Sequence, residues 1–411
     1  MMRKMLTTSR PLALALGLAA LFAVSDAQAQ KQYAPGITDT EIKIGQTEPV
    51  SGPASAYSQF GRAEQAYVRM INDRGGVNGR KLTLIQADDG YQPPKTLEQT
   101  RKLVENDGVA LMFGSIGTPT NMAVRAYLNE KKVPQLFIGS GSSKFDDPKH
   151  FPWTLAFLPS YLAEGRIYAR WLLTTKPDTK AAVLYQNDDF GKDLLQGFRE
   201  GFGPDAGARI VATASYETTD PTIQPQVLTL QGSGANVFFS ITTPKFAAQS
   251  IGAVYDSGWK PLFIENFVGS AVAAVLRPAG LDKSVGLISA QYEMDPTDPQ
   301  WTSNPHYKEW LEFMTKYMPD GDLKDVFNVT GYDFAAALVH VLQACGDNLT
   351  RENIMNQATH LDFAPAMFMP GVKMQTTPDD YVAVKQLVLQ RFNGTIWVPF
   401  GEVMDGHLSL N

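Results

Sequence analysis

Two short runs have the residue types and spacing to hold a small anion. Gly114-Ser115-Ile116-Gly117-Thr118-Pro119-Thr120-Asn121 joins an apolar strand-like segment to a helical one. In such a turn the first N–H groups of the helix and the hydroxyls of Ser115 and Thr118 can receive a carboxylate. The plainer alternative is that Thr118, Thr120 or Asn121 only caps the helix. Gly139-Ser140-Gly141-Ser142-Ser143-Lys144 repeats the arrangement after the next strand, giving two anion-friendly turns on neighbouring strands. Neither run is a nucleotide loop, because the GxxxxGK[ST] pattern is absent and the GxGxxG spacing fails in both. Tyr57 and Phe190 each stand in a loop just before a helix, where an aromatic ring can meet a ligand.

Catalytic readings fare poorly. No G-x-S-x-G nucleophile elbow occurs. His150, His306, His340, His360 and His407 are scattered without the spacing of metal ligands. Asp88-Asp89 and Asp188-Asp189 follow strands, but adjacent side chains point apart, so solvated or capping roles are expected. Cys345 lies in an apolar helical stretch and reads as buried and inert. No enzyme activity, cofactor or metal is therefore expected.

The elements that would position these residues alternate between strand-like and helical patterns. Strands are predicted at 42–45, 82–87, 110–114, 135–138, 181–185, 210–215, 237–241, 262–264 and 287–292. Helices are predicted at 57–74, 95–106, 121–131, 161–174, 191–202 and 246–257, with 335–344 also apolar and helical. Several strands are continuous apolar runs, as parallel sheets covered on both faces require. The rhythm predicts an α/β fold of doubly wound parallel sheets. The pattern restarts after about residue 155, where 181–185 leads through Gln186-Asn187-Asp188-Asp189-Phe190-Gly191 into a helix. Two similar lobes would bring their strand C-terminal loops together across a cleft, a usual place for a small ligand.

Residues 1–29 read as an export signal. Arg3, Lys4 and Arg10 precede a short apolar run at 11–24, and Ala27-Gln28-Ala29 offers a cleavage site, so the mature chain is expected to start near Gln30 in the periplasm. No later segment approaches the ~18 unbroken apolar residues of a membrane span. The single cysteine excludes an internal disulfide. The formal charge is −6, or about −8 without residues 1–29, which argues against nucleic acid or an anionic membrane as partner.

An ordered set of motifs carries a family resemblance. Ile42-x-Ile44-Gly45, Ser51-Gly52-Pro53, Ile71-Asn72-x-x-Gly75-Gly76-x-Asn78-Gly79-Arg80-Lys81, Asp88-Asp89 and Lys132-Val133-Pro134 together resemble the periplasmic leucine/isoleucine/valine-binding protein family. That family supplies the substrate-binding components of branched-chain-amino-acid-type ABC transporters. The resemblance implies a type I periplasmic binding protein: two α/β lobes joined by three crossovers, near 156–160, 287–293 and 366–374. Residues 30–157 and about 292–366 would form one lobe, and 158–291 with about 367–411 the other. It further implies a monomer that docks on permease subunits with cytoplasmic ATPases. A periplasmic sensor passing its signal to a receptor is the alternative role.

The family's site carries over residue by residue. The first-helix aromatic corresponds to Tyr57, the carboxylate-binding hydroxyl to Thr118, and further backbone and hydroxyl groups to Gly141, Ser142 and Ser143. Two pocket tyrosines correspond to Phe190 and Thr242, so their phenolic hydroxyls are missing. The acid that holds a ligand ammonium corresponds to Glu265, or to Asn266 after a one-residue slip. The expected ligand is a branched or other apolar amino acid, with Glu265 as ammonium partner. The alternatives are an amine-free carboxylate, including an aromatic acid stacked on Tyr57 and Phe190, or an amide.

Overall fold

The computed structural model describes Met1, Met2 and residues 31–406. The rest of the segment read as an export signal, with its cleavage point, lies outside the described residues. Among the described residues no helix is long and apolar enough to cross a membrane.

Five parallel strands form the first sheet: β1 (Glu41–Glu48), β2 (Lys81–Asp88), β3 (Leu111–Phe113), β4 (Gln135–Ile138) and β5 (Thr154–Ala156). Their order is β2-β1-β3-β4-β5. β3 and β4 are buried along their whole length, which is why they read as unbroken apolar runs. Helices α1 (Ser58–Asp73), α2 (Pro93–Arg101) and α3 (Thr118–Glu130) connect these strands. β1 lies between β2 and β3, so the winding reverses at β1/β3. The loops after those two strands therefore open a crevice at the sheet edge. They are the loops that carry Tyr57 and Thr118.

The second lobe repeats the device. α4 (Tyr161–Thr175) enters it, followed by β6 (Ala181–Gln186), α5 (Asp189–Phe202), β7 (Ile210–Tyr216), α6 (Gln224–Gln231), β8 (Val237–Ile241), α7 (Pro244–Asp256), β9 (Leu262–Glu265) and β10 (Ile288–Gln291). The chain then returns to the first lobe as α8 (Pro305–Tyr317), α9 (Val326–Ala344) and α10 (Arg351–Ala358), before closing with β11 (Gln386–Phe392) and β12 (Trp397–Asp405). The sheet order is β12-β11-β10-β9-β8-β6-β7. Its reversal falls at β6/β8, whose following loops carry Phe190 and Thr243.

Three features differ from the expectation. The second sheet is parallel only from β7 to β10, because β11 and β12 form an antiparallel hairpin on its edge. Asn393 Oδ1 accepts hydrogen bonds from the N–H groups of Thr395 and Ile396 to shape that turn. β12 is mostly exposed, so neither an apolar run nor a clean alternation marks it in the sequence. Helices α2, α3 and α7 start two or three residues early, at Pro93, at Thr118-Pro119 and at Pro244. Proline is at home in a first turn, where its missing N–H would have had no partner.

The third difference concerns the lobe boundary. Met294 N donates to Met367 O and Met369 N to Tyr292 O, so two chain passages run side by side between the lobes. Residues 370–383, assigned by the resemblance to the second lobe, instead rest against the first. Met374 pairs with Phe363, Thr376 Oγ1 donates to Ala358 O, and Tyr381 N donates to Asp146. Ser160 N then donates to Val384 O as the chain leaves for β11.

Helices α4 and α5 are in backbone contact. A Cβ placed on Gly197 would overlap Leu162 O, and one on Gly165 would overlap Leu194 O. This close approach sets where α5 presents Phe190 and Asp193. Gly197→Val is expected to destabilise the fold by about 1–3 kcal/mol through overpacking. A thermal melt should show the midpoint falling by several degrees; an unchanged midpoint would mean the helices separate freely.

Candidate functional site

The loops at the two winding reversals face each other and enclose a cleft of about 560 Å³, its mouth included. Aromatic side chains supply most of the wall: Tyr57, Phe60, Tyr91, Tyr161, Phe190 and Phe327 all line it. Tyr57 packs its ring 5.5 Å from that of Phe60 and 5.3 Å from that of Phe327. Its hydroxyl donates across the cleft to Val268 O at 3.2 Å. On the other side Phe190 meets Tyr161 edge-on at 5.1 Å. Asp188 fixes Phe190 by capping α5, with Gly191 N donating to its Oδ1.

The polar part of the wall starts at α3. Gly117, in the left-handed region at φ 104°, turns the chain into that helix and lines the cleft beside Thr118. Thr118 Oγ1 lies 2.7 Å from Ser140 Oγ. Thr120 Oγ1 and Asn121 Nδ2 donate to loop carbonyls, so they hold the turn in shape. The first N–H groups of a helix have no partner within it, and here that end opens on the cleft.

Of the residues singled out from the sequence, Tyr57, Thr118 and Phe190 line this cleft. The others lie outside its lining. Ser115 accepts from the backbone and hydroxyl of Thr47 and so joins β3 to β1. Gly141 is packed against Pro159 O, where a Cβ would not fit. Thr242 donates to Glu265 Oε1 at 3.0 Å, and Asn266 donates to the same oxygen at 2.8 Å, so these three bond to one another outside the cleft lining. The neighbour Thr243 lines the cleft instead.

Ser142 and Ser143 do hold a carboxylate, but it belongs to the protein. Ser142 Oγ and Ser143 N donate to Asp193 Oδ2 at 2.6 and 2.7 Å, and Ser143 Oγ donates to Oδ1 at 3.1 Å. The serines belong to the first lobe and Asp193 to α5 of the second, so the contact ties the lobes together. Asp193→Ala removes the acceptor of all three bonds. Small-angle scattering of ligand-free protein is expected to show a larger radius of gyration for this variant. Identical scattering would mean that the tie does not hold the cleft shut.

Sequence reading missed Tyr91, Tyr161, Gln291, Glu293 and Thr330, all at the cleft. For Tyr91 a signal existed. Asp89 accepts from Tyr91 N and from Thr96 Oγ1, which turns the chain after β2 and holds Tyr91 at φ 61°. The Asp88-Asp89 pair thus has the shaping role expected of it, with Asp88 taking Ser51, Gly90 and Lys95. Gln291 ends β10 and Glu293 follows it, where the strand's C-terminal end points to the cleft like those of the other strands.

The surroundings are acidic. No Lys, Arg or His is among the residues lining the cleft. Burial raises Glu265 and Glu293 well above the usual carboxylate range, and Asp333 adds to the effect on Glu293. Among the described residues no group of His, Cys, Asp and Glu is arranged to hold a metal.

Burial is also the leading cause that raises several other carboxyls. Glu164 is pushed from 4.5 up to about 8 and Glu48 to about 7, while Asp188, Asp295 and Asp325 rise from 3.8 to about 6. Each folded carboxyl keeps a proton that the unfolded chain releases above its ordinary pKa. Their contribution to stability is therefore complete at low pH and is lost as pH rises through the folded values. The thermal midpoint is expected to be higher near about pH 5 than near about pH 8. The reverse order would mean that these groups are ionised in the folded protein.

Comparison with known proteins decides the family. The family model described as "Periplasmic binding protein" matches residues 41–395. The chain belongs to that family. This periplasmic binding protein is 26% identical over 301 residues to Leu/Ile/Val-binding protein homolog 7 of Brucella abortus, covering 71% of this chain and 73% of the relative. A branched chain amino acid ABC transporter protein from Thermus thermophilus with bound valine superposes with a TM-score of 0.80. The identity is 17%, over 90% of this chain and 97% of that one. A solute binding protein of an ABC transporter from Rhodopseudomonas palustris, in complex with 3,4-dihydroxy benzoic acid, superposes at 0.74. There the identity is 18%, over 90% and 99%. Members of this family are solute-binding proteins, not enzymes.

Proposed function

We propose that this protein captures an apolar amino acid between its lobes and delivers it to a membrane permease driven by cytoplasmic ATPases. The observation that carries the reading is the composition of the cleft. Its walls are aromatic, one end is the N-terminus of α3 with Thr118, and no basic side chain lines it. A ligand carboxylate has the helix end and the Thr118 hydroxyl to receive it. A large apolar side chain has the rings of Tyr57, Phe60 and Phe190 to displace water from. An anion with no cationic group of its own would enter acidic surroundings uncompensated, whereas a zwitterion brings its own positive charge.

A second reading is an amine-free aromatic carboxylate, favoured by the same flat rings and by the dihydroxybenzoate held by the Rhodopseudomonas palustris protein. In either case the ligand shifts the lobes toward closure by binding the closed form more tightly than the open one.

A thermal-shift screen separates the readings, using protein unfolded and refolded to strip any carried ligand. A ligand at about 100 times its Kd adds roughly 2.7 kcal/mol, enough to raise the midpoint by several degrees. Aliphatic and aromatic amino acids are expected to give that shift, and Thr118→Ala to weaken them by roughly 1–3 kcal/mol. Shifts with benzoates alone would replace the ligand class. Unchanged affinity in the variant would remove Thr118 from the site.

A further inference from the structure

The hinge wall of the cleft carries two carboxyl groups that no side chain neutralises. Glu293 follows β10 where the chain passes between the lobes; it is 1% exposed and lines the cleft. Its Oε2 accepts from Thr330 Oγ1 at 2.7 Å and the neighbouring Tyr292 hydroxyl favours its ionised form, while Oε1 is without a partner at hydrogen-bond geometry. Asp333, one turn beyond Thr330 on α9, is fully buried. Its Oδ1 accepts from Met367 N at 3.2 Å, and Oδ2 is likewise unpartnered. Burial raises both carboxyls, and the charge of Asp333 raises Glu293 further. Buried polar atoms are seldom left unpaired, and of the described residues that keep such an atom Glu293 alone lines the cleft, where a ligand can supply the donor. Phe327, one turn before Thr330, lines the same wall and sets an aromatic ring beside the acids.

Glu265 offers much less. Its Oε2 is likewise unpartnered, but Thr242 and Asn266 both donate to its Oε1, Gly269 closes over that oxygen, and the residue is not part of the cleft lining.

We propose that Glu293, backed by Asp333 and oriented by Thr330, is the seat of the ligand's ammonium group. The proposal rests on the amino-acid reading above and names the residue that discriminates amines from simple acids. An ammonium supplies the missing donors for Glu293 Oε1 and the positive charge that the acid pair lacks. An amine-free acid leaves both wants unmet.

Calorimetric titration of L-leucine, L-phenylalanine and their deaminated counterparts tests it on wild type, Glu293→Gln and Glu265→Gln. Glu293→Gln is expected to bind both amino acids about 100-fold more weakly, as when one partner of a desolvated charge pair is lost. The deaminated acids should bind Glu293→Gln at least as well as wild type, and Glu265→Gln should keep wild-type amino-acid affinity. Thr330→Val, which removes only the hydroxyl that orients Glu293, should weaken the amino acids alone. It carries the test if Glu293→Gln fails to melt cooperatively. An amine-specific loss in Glu265→Gln instead, or an equal loss of both ligand classes in Glu293→Gln, overturns the assignment. Wild type that binds only the deaminated acids also overturns it while leaving uptake of a carboxylate standing. Wild type that binds none of the four removes the amino-acid reading and this inference with it.

Discussion

The geometry of the cleft depends on how far apart the two lobes stand, and the tie between Asp193 and the Ser142–Ser143 turn fixes that distance on one side. A carboxylate from α5 takes two hydroxyls and one N–H from the opposite lobe. The Tyr57 hydroxyl on Val268 O makes a second, neutral bridge. With both in place, rings from either lobe come within reach of one ligand. Because α5 is held against α4 by backbone contact at Gly165 and Gly197, the tie acts on a rigid element and not on a loose helix. Local packing in one lobe thereby sets the shape of the space between both.

The same tie explains which parts of the site could be read from the chain alone. The parallel strands were legible because burial on both faces leaves a plain apolar run, as in β4 and β8. The turns after β3 and β4 were legible as junctions rich in glycine and hydroxyl groups, and the one after β4 does hold a carboxylate. Their occupant was not. Nothing local to Ser142 and Ser143 says whether the anion comes with a ligand or from Asp193, some fifty positions along the chain. Glu265 and Glu293 present the same difficulty. Both are acids at strand ends with one unpartnered oxygen, and only three-dimensional packing shows that Glu293 lines the cleft while Glu265 lies outside its lining. The β11–β12 hairpin escaped notice for a different reason, since a half-exposed edge strand carries little hydrophobic pattern.

Buried acids recur through both lobes. Glu164 accepts from Tyr168 and from Phe267 N, which fixes the loop that carries Phe267 and Val268 to the cleft. Glu64 engages Gln46, which also accepts from Gln86, so an acid below the first sheet sets the spacing of β1 and β2. Kept neutral by burial, such groups work as hydrogen-bond fixtures and add no net charge to the interior.

The hinge wall extends this rule to the ligand. Glu293 lines the cleft with its carboxyl held neutral by burial, Asp333 is buried close to it, and no lysine or arginine lines the path. A solute with a second carboxylate, such as an acidic amino acid or a dicarboxylic acid, would find no positive group there to replace the water it leaves, and burying an uncompensated anion is costly. The wall is thus a filter on the sign of charge at the ligand's far end, whatever the fit of its carbon skeleton.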